Sequence, residues 1–161
     1  MIKSNVNKTV IETIVFLYAI LFLYSGISKL TEFNVFKQQL SESPILGPIS
    51  SLVAVALPWI EFLIVIMLII PKWRLKGFYA ALVLMASFTL YIILLLSISD
   101  KLPCSCGGVL SELSWTQHIV LNGIYILICV IGIILQRKHI QKINKTWELV
   151  ATILPLLSIY L

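Results

Sequence analysis

Cys104 and Cys106 stand one residue apart in "KLPCSCGGVLSELSWTQH", the stretch from Lys101 to His118. Two thiols at that spacing close a disulfide only as a small ring of constrained geometry, and strained, exposed disulfides are the oxidising, readily exchanged ones. The pair therefore suits thiol–disulfide exchange better than stapling. Pro103 restricts the approach to it, while Gly107 and Gly108 leave room for a partner's sulfur or backbone. Two other uses fit the same residues: a passive disulfide that shapes the loop, or half of a metal site completed by His118. Structural zinc normally takes four ligands and only three candidates are close in sequence, so no metal is expected.

The residues that follow would tune these thiols. Ser114 with Gln117 three positions on reads as a capping box, and Trp115 as an interfacial anchor, so the cysteine stretch ends at a helix entrance. The partial positive charge of a helix N-terminus favours a nearby thiolate, and a protonated His118 in the first turn would add to it. Cys104 is expected to be the more exposed, attacking thiol, although Cys106 lies nearer the helix entrance. Cys129 falls about 20 Å further along that helix at ~1.5 Å per residue, which makes it a packing residue out of reach of the pair.

Glu61, in "LPWIEFLIVIML", is the acidic residue set well inside an apolar run. A carboxylate there is costly and calls for a function or a partner. It reads either as a proton relay or quinone contact, or as half of a structural pair with Lys29 of "YSGISKL". Pro58 would kink its helix and bring Glu61 nearer the outer interface. Tyr91 and His118 could hydrogen-bond a quinone near the outer leaflet, or simply belong to the interfacial belt. His139, in "QRKHIQK", belongs with a basic cluster facing solvent or anionic lipid.

The elements that must carry these residues are membrane spans. The chain of 161 residues is 60% hydrophobic and 12% charged, with a mean hydropathy of +1.03. Four apolar runs, at 10–27, 49–70, 77–98 and 116–135, reach the ~20 residues a bilayer crossing needs. The first is too long for a signal-peptide core and no small-residue cleavage site follows, so it reads as a retained anchor. A fifth run, 147–161, contains Pro155 and is short; it would span, tilt in the interface or half insert. Nine Lys and Arg lie on one side, at Lys3, Lys8, Lys72, Arg74, Lys76, Arg137, Lys138, Lys142 and Lys145; three, Lys29, Lys37 and Lys101, lie on the other. The positive-inside rule then puts the N-terminus in the cytoplasm and the cysteines outside, which in a bacterial inner membrane is the disulfide-permissive periplasm. The net charge of +5 is thus topological, with no basic stripe for nucleic acid. No repeat or linker divides the chain, and 28–48 is its longest connection. The expected fold is all-α: a single domain over 1–161, an antiparallel four-helix transmembrane bundle with a short fifth C-terminal helix as an open element. Ala80, Ala81, Ala86 and Ser87 would let its helices approach closely.

"YSGISKL" closing the first span, "PWIEF" in the second and "PCSCGG" followed by "SWTQH" before the fourth together resemble the MauE branch of the DoxX-like redox-associated membrane proteins. The resemblance covers roughly 10–135. It implies a four-helix core similar to that of membrane disulfide-forming enzymes, and a part in thiol–disulfide chemistry outside the cytoplasm, as in maturation of disulfide-rich methylamine dehydrogenase. The pair here is C-x-C, not the C-x-x-C of thioredoxin-like catalysts, and no second outward cysteine pair is present.

These readings converge on an inner-membrane thiol–disulfide oxidoreductase. Cys104 and Cys106 would exchange with a periplasmic thiol or disulfide protein, and Glu61 and His118 would assist at a membrane quinone. The competing classes are a non-enzymatic accessory or maturation protein for an exported client, and a metal-handling membrane protein.

Overall fold

The computed structural model describes residues 2–98 and 115–157, with side chains described for 6–98 and 116–141. Every element among them is helical: α1 Ile2–Thr31, α2 Phe33–Glu42, a 3-10 turn Gly47–Ile49, α3 Ser50–Ile69, α4 Arg74–Ile98 and α5 Trp115–Leu157. Among the described residues, four stretches are long and apolar enough to cross a bilayer: Val6–Thr31, Gly47–Ile69, Arg74–Ile98 and Thr116–Gln141. The chain is a multi-pass helical membrane protein, as its hydropathy implies.

The bundle core forms where one stripe of each span meets the others. Ile11, Ile14, Val15, Tyr18 and Phe22 of α1 recur at three- and four-residue intervals and pack with Ile64, Val65 and Leu68 of α3, Phe78, Ala81 and Met85 of α4, and Cys129 and Ile133 of α5. The opposite faces are equally apolar: Phe16, Leu63, Val83 and Leu127 are exposed, as helices bathed in lipid require. α1 packs most extensively on α3 and α4 on α5, whereas α1 meets α5 more sparsely.

Close approach between α3 and α4 depends on Gly77, where a Cβ would lie 2.9 Å from the Leu68 amide nitrogen. Beside it, the buried Arg74 bonds the Leu68 carbonyl through Nε at 3.0 Å and grips Glu12 of α1 through both terminal nitrogens at 2.9 and 3.3 Å. One guanidinium thus closes the end of α3 and ties the α3–α4 hairpin to α1.

Two elements differ from the sequence expectation. Part of the connection 28–48 is the helix α2, whose Phe36 and Leu40 are buried against Ala54 of α3. The spacing of Phe33, Phe36 and Leu40 makes one apolar helical face, which the Pro- and Gly-bearing "SESPILGP" behind it obscured. Ser43 then turns the chain, its hydroxyl accepting the Ile45 and Leu46 amides, each at 3.3 Å. The C-terminal run, left open in the sequence as a short fifth helix that would span, tilt or half insert, continues α5 without a break as far as Leu157.

Candidate functional site

The site grows from an i, i+4 pair on α1. Ser25 and Lys29 share a face one turn apart, and that face meets Glu61 at mid-α3. Glu61 Oε1 accepts Lys29 Nζ at 2.8 Å and the Ser25 hydroxyl at 2.9 Å, while Lys29 also donates to Ser25 Oγ. The two charged residues are buried, 7% and 4% exposed. The alternative in which Glu61 pairs with Lys29 is therefore realised in the geometry. The Phe36 ring of α2 lies 5.9 Å from Lys29 Nζ, a cation–π contact that brings the amphipathic helix over the pair.

At 2.8 Å the attraction is worth roughly 6 kcal/mol at an effective dielectric near 20. Desolvating two ions costs several kcal/mol each, so attraction and desolvation nearly offset one another. Stability alone is a weak reason to keep such a pair. Among the described residues the carboxylate is hydrogen-bonded on one side only: Oε1 accepts two bonds and the buried Oε2 has no partner.

Ser25, Lys29 and Glu61 line a cavity of about 80 Å³, walled by Phe22 and Tyr24 of α1, Leu57 of α3, Met85 and Phe88 of α4, and His118, Asn122 and Tyr125 of α5. His118 and Asn122 are buried one turn apart on α5, 4% and 6% exposed, and Asn122 Nδ2 is a second atom with no partner. The cavity is thus an apolar chamber with polar groups from α1, α3 and α5. Its polar lining includes a carboxylate, an amine and an imidazole, groups whose chemistry is proton exchange.

Two of the sequence-derived candidates, Glu61 and His118, are brought together here. Tyr91 is not among the lining residues; its hydroxyl donates to Ser43 Oγ at 3.0 Å and fastens the turn after α2 to α4. Cys104 and Cys106 lie outside the described residues, as does the Ser114 cap. Cys129 is a fully buried core residue whose thiol donates to the Phe78 carbonyl at 3.2 Å. Nearby, Tyr18 donates to the Tyr125 carbonyl at 2.6 Å. Among the described residues no three His, Cys, Asp or Glu side chains gather as a metal site.

Sequence reasoning missed Ser25 and Asn122. Each stands four residues from a residue that was noticed, Lys29 and His118, on the same helical face, and that spacing is the signal that could have found them.

No curated protein and no solved structure matches the chain. A family model described as methylamine utilisation protein MauE matches residues 7–135, a stretch that contains every residue lining the cavity. Because that match spans most of its length, the chain belongs to the MauE family.

Proposed function

We propose that this membrane protein is a thiol–disulfide oxidoreductase of the bacterial inner membrane, with its N-terminus cytoplasmic and Cys104 and Cys106 facing the periplasm. The loop charge asymmetry, nine Lys and Arg against three, supports that orientation. The observation that carries the reading is the Ser25–Lys29–Glu61 cluster in a cavity that His118 also lines, near the start of α5. In sequence the cysteine pair immediately precedes that helix.

In the oxidising direction, Cys104 and Cys106 as a disulfide take two electrons and two protons from an exported dithiol. One S–S bond forms in the partner and one opens here. Restoring the disulfide returns two electrons and two protons, for which a membrane quinone supplies a matching acceptor. Reverse flow is the same exchange run backwards. When the pair oxidises a partner, the partner's thiolate attacks Cys104 and releases Cys106 as thiolate; when the pair reduces one, Cys104 attacks the partner's disulfide and Cys106 resolves the mixed disulfide; Glu61 and His118 handle protons on the membrane side.

The family description also favours a second reading, a non-enzymatic accessory protein for an exported client, with a disulfide that only shapes the loop. Redox titration separates the two. A cycling pair passes from dithiol to disulfide in glutathione or dithiothreitol buffers near the compartment's poise, read by alkylation and mass shift. A disulfide that stays closed below about −300 mV would replace exchange with the accessory reading.

A further inference from the structure

An open groove of about 430 Å³ runs between α3 and α4 on the outside of the bundle. Ile60, Leu63 and Met67 line it from α3, and Tyr79, Val83 and Ser87 from α4, so its walls are almost wholly apolar. From Tyr79 to Ser87 it follows α4 for about 12 Å at ~1.5 Å per residue, close to the ~15 Å of hydrocarbon in one leaflet. It lies in the half of the bilayer where α4 begins, at Arg74. A groove of that length and depth in the membrane suits an acyl chain.

The Tyr79 end of the groove is basic. Lys76 shares the α4 face of Ala80, Val83 and Ser87, at intervals of three and four residues, and is exposed. Arg137 of α5, also exposed, lays its guanidinium over the Tyr79 ring at 5.5 Å. Trp73, exposed just before α4, is an interfacial aromatic that sets this level at the head groups. Among the described residues the ion pairs are Lys29–Glu61 and Arg74–Glu12, so no carboxylate neutralises Lys76 or Arg137. A second copy of the chain fits this charge badly. Two copies in one bilayer share an orientation, and a two-fold contact through the groove would set Lys76 against Lys76.

We propose that the α3–α4 groove binds an anionic glycerophospholipid, with one acyl chain lying between the two helices and the phosphate held by Lys76 and Arg137. The phosphate oxygens accept charge-assisted hydrogen bonds from the ammonium and from the guanidinium that stacks on Tyr79. The Lys76 stem lies along apolar surface while its charge stays at head-group level. Leu84 lines both this groove and the Glu61 cavity, so the bound chain packs on the far side of that cavity's wall. The site is independent of any chemistry at the cysteines.

Native mass spectrometry of purified, delipidated full-length protein tests this, with phosphatidylglycerol and phosphatidylcholine of the same chains titrated in turn. Phosphatidylglycerol should bind at least about tenfold tighter, and Lys76→Gln and Arg137→Gln should each weaken it about fivefold, the effect of one basic residue at a bilayer surface. Lys8→Gln removes the same charge from the same end of the bundle, where Glu12 of α1 meets Arg74, but away from the groove, and should change little. Val83→Trp fills the groove and should weaken both lipids. Phosphatidylglycerol with a diazirine on its acyl chain should label 60–67 of α3 and 79–87 of α4. Equal binding of the two lipids, or equal losses in Lys8→Gln and Lys76→Gln, would mean diffuse attraction and overturn the site. Label spread evenly over the apolar surfaces would do the same. A dimer that Val83→Trp dissociates would give the groove to a second copy instead.

Discussion

Lys29 Nζ lies 2.8 Å from Glu61 Oε1 across 32 residues of sequence, and the Ser25 hydroxyl bonds the same oxygen, so one side of the carboxylate is fixed by α1 while the other lies 3.4 Å from where a Cβ at Gly26 would stand. This asymmetry separates the cluster from a simple structural pair. A pair kept only for packing would satisfy both oxygens. Here α1 orients the carboxylate through Oε1, and among the described residues Oε2 is buried with no hydrogen-bond partner.

Removing either charge should expose the coupling. Lys29→Met and Glu61→Gln are each expected to destabilise the bundle by about 3 kcal/mol, because each leaves buried groups without partners. The double variant should recover at least about 1 kcal/mol relative to the sum of the two. Reversible unfolding in detergent measures all three. Strict additivity would mean that the pair contributes nothing as a pair. In the redox account Glu61→Gln also slows turnover in protein that still inserts and folds.

Two glycines give a sharp contrast. At Gly77 a Cβ would meet backbone, 2.9 Å from the Leu68 nitrogen and 3.0 Å from the Met67 carbonyl carbon, which cannot move aside. Gly77→Ala should therefore destabilise by about 1–3 kcal/mol despite its gain in helix propensity. Gly123→Ala meets nothing and should be neutral or stabilising by up to about 1 kcal/mol. Equal thermal shifts for the two would contradict the close α3–α4 approach.

Arg74 should matter more than its ion pair. Glu12 has 48% of its side chain exposed, so Glu12→Gln is expected to change stability by less than about 1 kcal/mol. Arg74→Met removes the bond to the buried Leu68 carbonyl as well, and should cost about 1–3 kcal/mol. Thermal unfolding that ranks Glu12→Gln as the more damaging change would reverse this assignment.

Topology has its own check. A membrane-impermeant thiol reagent added to intact spheroplasts should label Cys104 and Cys106 after reduction, as the loop charges require. Labelling only after the cytoplasmic face is opened would invert the protein and remove the periplasmic chemistry.

The four spans were legible in sequence because hydropathy alone sets them: 49–70 was expected and Gly47–Ile69 is found. The Glu61–Lys29 pair was legible as an alternative, since a carboxylate inside an apolar run demands a partner and Lys29 was near. What escaped depended on three-dimensional neighbours. α2 is amphipathic only in relation to the α3 surface that buries Phe36 and Leu40. Asn122 looks like one polar residue in an apolar helix until His118 and Glu61 are seen to share its cavity. Tyr91, which the sequence left between a ligand contact and the interfacial belt, bonds Ser43, a partner 48 residues away that no sequence pattern announces.

The central claim is exchange at Cys104 and Cys106, and trapping a mixed disulfide tests it most directly. Cys104→Ser and Cys106→Ser, each expressed with acid quenching and non-reducing electrophoresis, should both abolish turnover. A long-lived adduct should persist in Cys106→Ser, where the Cys104 thiolate attacks the disulfide of an exported protein, displaces one of its thiolates and meets no resolving thiol. Cys129→Ala should cycle normally, because its thiol is buried in the bundle core against Phe78. Full turnover in either single Ser variant, or an adduct that requires Cys129, would contradict the account.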